Sequence, residues 1–152
     1  MARTRAGRRW AWALALVLVA LAVAVPFTVA RRQEPPPRGT PVDVLLHDFQ
    51  IQENATIVPA GTVSFRIRNQ GPTSHEFIVV KTDRAPDKLP LQSDGLTVDE
   101  KADRIDLIDE AEGLDIDDRQ TLVLNLAAGQ YVMYCNFEGH YLGGMYAALT
   151  VH

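Results

Sequence analysis

The sequence has little of what many metal and nucleic-acid sites are built from. Its 152 residues include one cysteine. It can form no intramolecular disulfide, and zinc or iron–sulfur sites made from several cysteines are excluded. Basic residues are also scarce beyond the amino terminus, since residues 31–152 hold 11 basic and 19 acidic groups, a balance of −8. Such a domain repels phosphate backbones, so no nucleic-acid partner is expected.

What the chain does contain is ordinary for one globular domain. Apolar residues make up 47% of the sequence and charged residues 22%. These values are typical of a folded core and not of a disordered chain. The length corresponds to a single domain, and we expect a monomer.

The amino terminus has the composition of an export segment. Four arginines within residues 1–9 precede an apolar run from Trp10 to Ala30. Residues 1–30 are therefore predicted to be a hydrophobic helix that is either a cleaved signal peptide or a retained membrane anchor. The protein is expected to be exported to the periplasmic or extracellular face of the membrane. Residues 31–41 contain four prolines and are predicted to be a linker, with the folded domain at residues 42–152.

The folded domain is predicted to be all-β. Hydrophobic and polar residues alternate at Val63–Ile67 and Thr121–Leu126, as in strands with one buried face. No phosphate-binding glycine loop follows a strand, and no long amphipathic helix appears after the export segment. Short strands separated by Gly, Pro and Asn turns indicate a β-sandwich with Greek-key connections. The further predicted strands are Val42–Phe49, Ala55–Val58, Phe77–Lys81, Tyr131–Cys135 and Tyr146–Val151.

One long segment departs from this pattern. Residues 82–118 contain 13 acidic and 4 basic side chains. The segment is interpreted as a long, solvated acidic insertion, with a docking surface for a basic partner as the alternative. Thr97 and Glu100 have the spacing of a capping box, which favours a short helix there.

The residues that carry chemistry lie near the carboxyl terminus. Cys135, His140 and Met145 have the spacing C-x4-H-x4-M, between one predicted strand and the next. A thiolate, an imidazole and a thioether together suit copper far better than magnesium or calcium. His75 begins another predicted strand, and two His, one Cys and a weak Met form the ligand set of a blue-copper site. His47 is interpreted as structural and His152 as a frayed terminus.

These motifs resemble those of the cupredoxins, the plastocyanin- and azurin-like type 1 blue-copper proteins. The spacing is most similar to that of rusticyanin, auracyanin and sulfocyanin, and the resemblance covers residues 42–152. It implies one copper ion, Cu(I) or Cu(II), with His75, Cys135 and His140 as in-plane ligands and Met145 as the axial ligand. Many family members follow the first histidine with Asn or Ser, which ties the two ligand loops together. Here that position is Glu76.

A closed copper site of this kind predicts an electron carrier and not an enzyme. The four histidines include no H-x-H pair, which excludes the trinuclear centre of a multicopper oxidase, and a binuclear copper centre would need two cysteines. The partners are expected to be redox proteins such as a cytochrome or an oxidase-type donor or acceptor. Phe137, Tyr141 and Leu142 are expected to form an apolar rim beside His140. The alternative is a copper storage or delivery protein.

Overall fold

The computed structural model describes residues 39–152, and the export segment and most of the linker that the sequence predicts lie outside this range. Within residues 39–152, no helix is long and apolar enough to cross a membrane. The described chain forms nine strands joined by turns and loops: β1 Thr40–His47, β2 Gln50–Glu53, β3 Ile57–Val58, β4 Gly61–Asn69, β5 His75–Lys81, β6 Asp106–Leu114, β7 Arg119–Leu126, β8 Gly129–Tyr134 and β9 Tyr146–Val151.

The strands form two sheets, which confirms the predicted all-β sandwich. One sheet has the order β2-β1-β4-β7 and the other the order β3-β9-β8-β5-β6. Both sheets are mixed, because β1 pairs with β4 in parallel and β3 pairs with β9 in parallel. Parallel neighbours cannot be joined by a tight hairpin, so the chain must cross between distant strands.

The core lies between the sheets and follows from the alternation in the sequence. Val42, Val44 and Leu46 of β1 are buried, and the intervening side chains are less so. Phe65 of β4 and Phe77 of β5 meet across the sandwich with ring centroids 5.5 Å apart. Burial of this apolar surface, at about 25 cal/mol per Å², is the main stabilising contribution.

The acidic segment is more ordered than the sequence suggests. Its carboxyl-terminal part is β6, an edge strand whose exposed acidic residues oppose pairing with another chain. Its amino-terminal part covers the outer face of the β5–β8 pair, where Leu89 and Val98 are buried in a second apolar cluster with Tyr134 and Tyr141. Residues 82–105 are thus a long connection whose side chains mostly remain at the surface and which is anchored by a few buried residues, whereas residues 106–114 form a strand that the sequence did not predict.

Two smaller expectations are also corrected. No helix begins at Thr97, because the Asp94 carboxylate instead accepts hydrogen bonds from the amides of Leu96 and Thr97. The terminal residue His152 is not frayed. Its amide donates to the Val58 carbonyl at 3.1 Å, and its carbonyl accepts from the Ala60 amide at 2.7 Å.

Candidate metal centre

The candidate ligands come from three places that the fold brings to one end of the sandwich. His75 is the first residue of β5, and Cys135 directly follows β8. Strands β5 and β8 are antiparallel neighbours, so the beginning of one lies beside the end of the other. His140 lies in the loop between β8 and β9.

The donor atoms of these three residues converge on one point. Nδ1 of His75 lies 3.3 Å from Nδ1 of His140, which in turn lies 3.4 Å from Sγ of Cys135. All three donor atoms lie within 4.8 Å of one another. His75 and Cys135 are buried, whereas His140 is partly exposed and is therefore the ligand nearest to solvent.

The chemistry of this donor set fits a metal ion. At metal–donor distances of about 2.0–2.3 Å, donors that share a tetrahedral or trigonal ion lie roughly 3.3–3.7 Å apart. Imidazole nitrogen and thiolate sulfur are donors that a single copper ion can bind together, and these three already lie at such spacings.

Met145 completes the set that the sequence predicts. It is buried and immediately precedes β9. Its backbone is tied to both other loop residues, because its amide donates to the His140 carbonyl at 3.0 Å and its carbonyl accepts from the Cys135 amide at 3.1 Å. Gly144 beside it has φ +107°, a conformation that side-chain-bearing residues rarely adopt. The loop is thus closed on itself by its own backbone.

The loop that carries His75 is shaped by Asn69, a buried residue at the end of β4. Its side-chain nitrogen donates to the carbonyls of Thr73 and Leu114 at 2.8 and 3.0 Å. Its side-chain oxygen accepts from the amide of Gly71 at 2.8 Å. The Asn69 side chain thereby binds two backbone groups of the turn and one of β6, and so helps to fix the turn that precedes β5.

Glu76, which stands where many cupredoxins have Asn or Ser, joins the two ligand loops. Its Oε1 accepts a hydrogen bond from the amide of Asn136 at 2.7 Å, so the neighbour of His75 is joined to the neighbour of Cys135. Burial raises the pKa of Glu76 to about 7, and the carboxylates of Glu100, Glu110 and Glu112 act in the same direction. The carboxyl group therefore replaces the amide or hydroxyl in this role.

Asn136 extends the same network to the acidic segment. Its Oδ1 accepts from the amide of Val98 at 2.6 Å, and its Nδ2 donates to the carboxylate of Glu100 at 2.8 Å. Tyr141 makes a second connection, because its hydroxyl donates to the Pro86 carbonyl and accepts from the Leu89 amide, both at 2.8 Å. Residues 82–105 are therefore fastened to the loop that carries Cys135 and His140.

Burial also controls the protonation of the cysteine. Desolvation raises the pKa of the Cys135 thiol to about 11, although hydrogen bonds from the amides of Glu76 and Phe137 act in the opposite direction. The thiol of the metal-free protein is consequently protonated at neutral pH. A metal that binds the thiolate must displace this proton.

The surface around His140 is apolar, but its composition differs from the predicted rim. Phe137 packs against His140 with ring centroids 5.7 Å apart, and Leu142 is 51% exposed. Tyr141 is buried under the acidic segment and does not contribute to the rim. Its place is taken by Phe49, which is 51% exposed and packs edge-on against His140 at 5.5 Å.

The sequence reasoning did not find the contribution of the turn between β1 and β2. It assigned Phe49 to a strand, whereas the structure places Asp48 and Phe49 in a tight turn. Asp48 approaches His75, with its Oδ1 3.2 Å from Nε2. The only available signal was an acidic and an aromatic residue directly after His47, which is too common a pattern to indicate a site. His47 itself pairs with Gln50 at the end of β1.

Comparison with known proteins gives a family and a fold. Residues 50–152 match the model of the sulfocyanin (SoxE) domain. Auracyanin from Roseiflexus castenholzii is similar in structure, with a TM-score of 0.58 and 22% identity over 75% of this chain and 98% of that one. Rusticyanin from Thiobacillus ferrooxidans has a TM-score of 0.54 and 18% identity over 75% and 79% of the two chains. No curated protein sequence matches the chain.

Proposed function

Because this chain belongs to the sulfocyanin family of cupredoxins, we propose that it carries single electrons between redox proteins outside the cytoplasm. The arrangement of His75, Cys135, His140 and Met145 fits one type 1 copper ion. When bound, copper supplies a one-electron couple between Cu(II) and Cu(I). We propose that His75, Cys135 and His140 would hold the ion, with the Met145 thioether as a further, weaker ligand.

The observation that carries the proposal is the convergence of two imidazole Nδ1 atoms and one thiol sulfur within 4.8 Å. Each donor is held at the edge of the core by a strand end or by backbone hydrogen bonds. A site whose donors are fixed in advance can accept both copper oxidation states with little rearrangement. Little rearrangement is what rapid one-electron transfer requires.

The proposed exit for electrons is His140. It is the most exposed of the three donors, and Phe49, Phe137 and Leu142 surround it with apolar surface. A small apolar contact of this kind suits a partner that docks briefly and separates quickly. We propose a redox protein as that partner.

Export is the location that the sequence favours. The arginine-rich start and the apolar run to Ala30 support delivery across a membrane, with the segment then either retained or removed. The acidic balance of the domain and its single unpaired cysteine are compatible with this location. Immunoblotting of separated cytoplasmic, membrane and exported soluble fractions, with an antibody against the folded domain, would test it.

The test of the function begins with the colour of the Cu(II)-loaded protein. We expect the intense thiolate-to-copper band of a type 1 site, because a short copper–thiolate bond is strongly covalent. Cys135→Ser should abolish the band while leaving the circular dichroism of the sandwich unchanged, since no other thiol exists. A Cys135→Ser protein that remained blue would refute the assignment of the site.

Electron exchange separates a carrier from a storage or delivery protein. A carrier should exchange electrons rapidly with reduced and oxidised redox proteins and should surrender copper slowly to a chelator. Metal binding should then add stability by mass action without creating the fold. Rapid loss of copper together with slow electron exchange would refute the carrier and favour copper delivery.

A further inference from the structure

The two-residue turn between β1 and β2 touches both candidate histidine ligands. Asp48 lies against His75, with 3.2 Å between Oδ1 and Nε2. Phe49 lies against His140, with 5.5 Å between ring centroids. None of the sequence motifs includes this turn, and neither of its residues is among the candidate ligands.

The position of Asp48 is enforced by its surroundings. The Thr73 hydroxyl donates to the same Oδ1 atom at 2.8 Å. Gly71 leaves the space that the contact needs, because a Cβ there would lie 2.7 Å from Nε2 of His75 and 3.0 Å from Oδ1 of Asp48. The first distance is shorter than a Cβ contact can be, so the His75 ring would have to move, and the second would require Asp48 to shift by a few tenths of an ångström. The Thr73 hydroxyl thus orients the Asp48 carboxylate, and the absence of a side chain at Gly71 lets that carboxylate approach His75.

The backbone of this turn is strained at Phe49. Phe49 has φ +60°, in the left-handed region that bulky residues rarely occupy. Its ring is held over Gly143, where a Cβ would lie 2.1 Å from Cδ1 of Phe49. Strain of this kind persists only where neighbouring contacts fix the backbone. The contacts that fix it here include His140 and the loop that carries it.

We propose that Asp48 is a positioning residue that holds His75 with its proton on Nε2, so that Nδ1 is free for copper. The negative charge of Asp48 also favours Cu(II) over Cu(I). A buried imidazole that faces a carboxylate with one nitrogen is stabilised when that nitrogen carries the proton. The His75 ring is fully buried, and Asp48 is the acidic group within ion-pair distance of its Nε2 atom. The distance of 3.2 Å, without the alignment of a strong hydrogen bond, makes this mainly a charge–dipole contact.

The effect on copper follows from the charge of the carboxylate. A negative group close to the site stabilises the ion of higher charge, so Asp48 should lower the reduction potential. The Asp48 side chain is 32% exposed, so its electrostatic interaction with the ion should be weaker than in a dry protein interior and stronger than in water. We expect Asp48→Asn to weaken the preference for Cu(II) over Cu(I) roughly threefold to tenfold. A tenfold change corresponds to a rise of about 59 mV in the one-electron reduction potential.

The copper part of this inference depends on the proposed function, and the tautomer part does not. The first experiment therefore uses the metal-free protein and nitrogen-15 NMR of the imidazole rings. We expect His75 of the wild type and of Asp48→Asn to carry the proton on Nε2, because asparagine keeps an acceptor oxygen. Asp48→Ala should give a mixture of tautomers. An unchanged tautomer in Asp48→Ala would overturn the positioning role.

The second experiment measures the reduction potential of the copper-loaded proteins by spectroscopic titration. Asp48→Asn should raise the potential, and Thr73→Val should raise it less, because it loosens the carboxylate without removing its charge. Glu138→Gln is the matched control, since it removes one exposed charge from the ligand loop without touching His75. A reduction potential of Asp48→Asn no higher than that of Glu138→Gln would overturn the charge effect.

A protein with the expected tautomers that gives no type 1 site would instead refute the proposed function. If Asp48→Ala does not fold, Asp48→Leu, which is close to aspartate in size and also lacks an acceptor, takes its place in the NMR experiment, and an unchanged tautomer there overturns the positioning role.

Discussion

Tyr141 offers a sharp test of how the acidic segment is attached to the ligand loop. Its hydroxyl donates to the Pro86 carbonyl and accepts from the Leu89 amide, both at 2.8 Å. Tyr141→Phe removes both hydrogen bonds while it keeps the buried ring. An unsatisfied buried amide costs about 1–3 kcal/mol, and loss of the second, partly buried bond adds about 0.5–1.5 kcal/mol. We therefore expect the free energy of unfolding to fall by about 1.5–4.5 kcal/mol.

Two other tyrosines supply a graded comparison. The hydroxyl of Tyr131 donates one bond, to the Ala127 carbonyl at 2.8 Å, so Tyr131→Phe should cost about 1 kcal/mol. The Tyr146 hydroxyl makes no hydrogen bond within residues 39–152, although its ring packs on Tyr141 at 5.4 Å. Tyr146→Phe should therefore change the stability by less than about 0.5 kcal/mol.

The assay is guanidinium unfolding of the metal-free protein, followed by far-ultraviolet circular dichroism. Fluorescence of tryptophan would not report on the fold, because both tryptophans lie in residues 1–30. Hydrogen exchange at the Leu89 amide adds a local measurement and should accelerate in Tyr141→Phe alone. If Tyr141→Phe is as stable as Tyr146→Phe, residues 82–105 are held by apolar packing and the hydrogen bonds are dispensable.

Three further predictions concern the site. In the metal-free protein, burial raises the pKa of Glu76 to about 7, against 4.5 in the unfolded chain. The folded state therefore binds the Glu76 proton more tightly than the unfolded state does, and the free energy of unfolding falls as the pH rises from about 4.5 to 7. Glu76→Gln should remove that loss, about 1 kcal/mol after allowance for partial exposure, and a pH profile identical to that of the wild type would contradict it. Met145→Leu should keep copper and colour and raise the reduction potential, because losing the thioether destabilises Cu(II) more than Cu(I); an unchanged potential would exclude Met145 as the axial ligand. Loading with Cu(II) at pH 8 should release about one proton per ion in calorimetry, since the pKa of Cys135 is about 11, and Cys135→Ser should release none.

Most of the fold could be predicted because it depends on a period of two. Strand β1 and residues 122–126 of β7 alternate between buried and more exposed positions, and β4 does so except at the buried Ser64. Each of these strands was found within a few residues of its bounds. Strand β6 was missed because its sequence is acidic and carries no regular apolar face. An edge strand needs few apolar residues, since only one side of it pairs with a neighbour and charges protect the other.

The parts of the site that lie close together in the sequence could be predicted, and those that depend on tertiary contacts could not. The spacing of Cys135, His140 and Met145 lies within one loop and could be found directly. His75 is 60 residues before Cys135. It was indicated because it begins a predicted strand and completes a ligand set of two His, one Cys and one Met, and the resemblance to the cupredoxins gave it the role of an in-plane ligand. The contact of Asp48 with His75 depends on a left-handed Phe49, a conformation that the residue type disfavours. Side chains that act through tertiary contacts leave no periodic signal in a sequence.

The ligand positions are joined by contacts in which copper has no part. Glu76 connects the start of β5 to the end of β8, and Asp48 connects the β1–β2 turn to His75. Asn136 connects the ligand loop to the acidic segment through Val98. Because these connections close without a metal, the donors should hold nearly the same positions whichever oxidation state is bound. A small rearrangement on oxidation follows from this cross-linking of three loops, so variants that break it should slow electron exchange even where they leave copper bound.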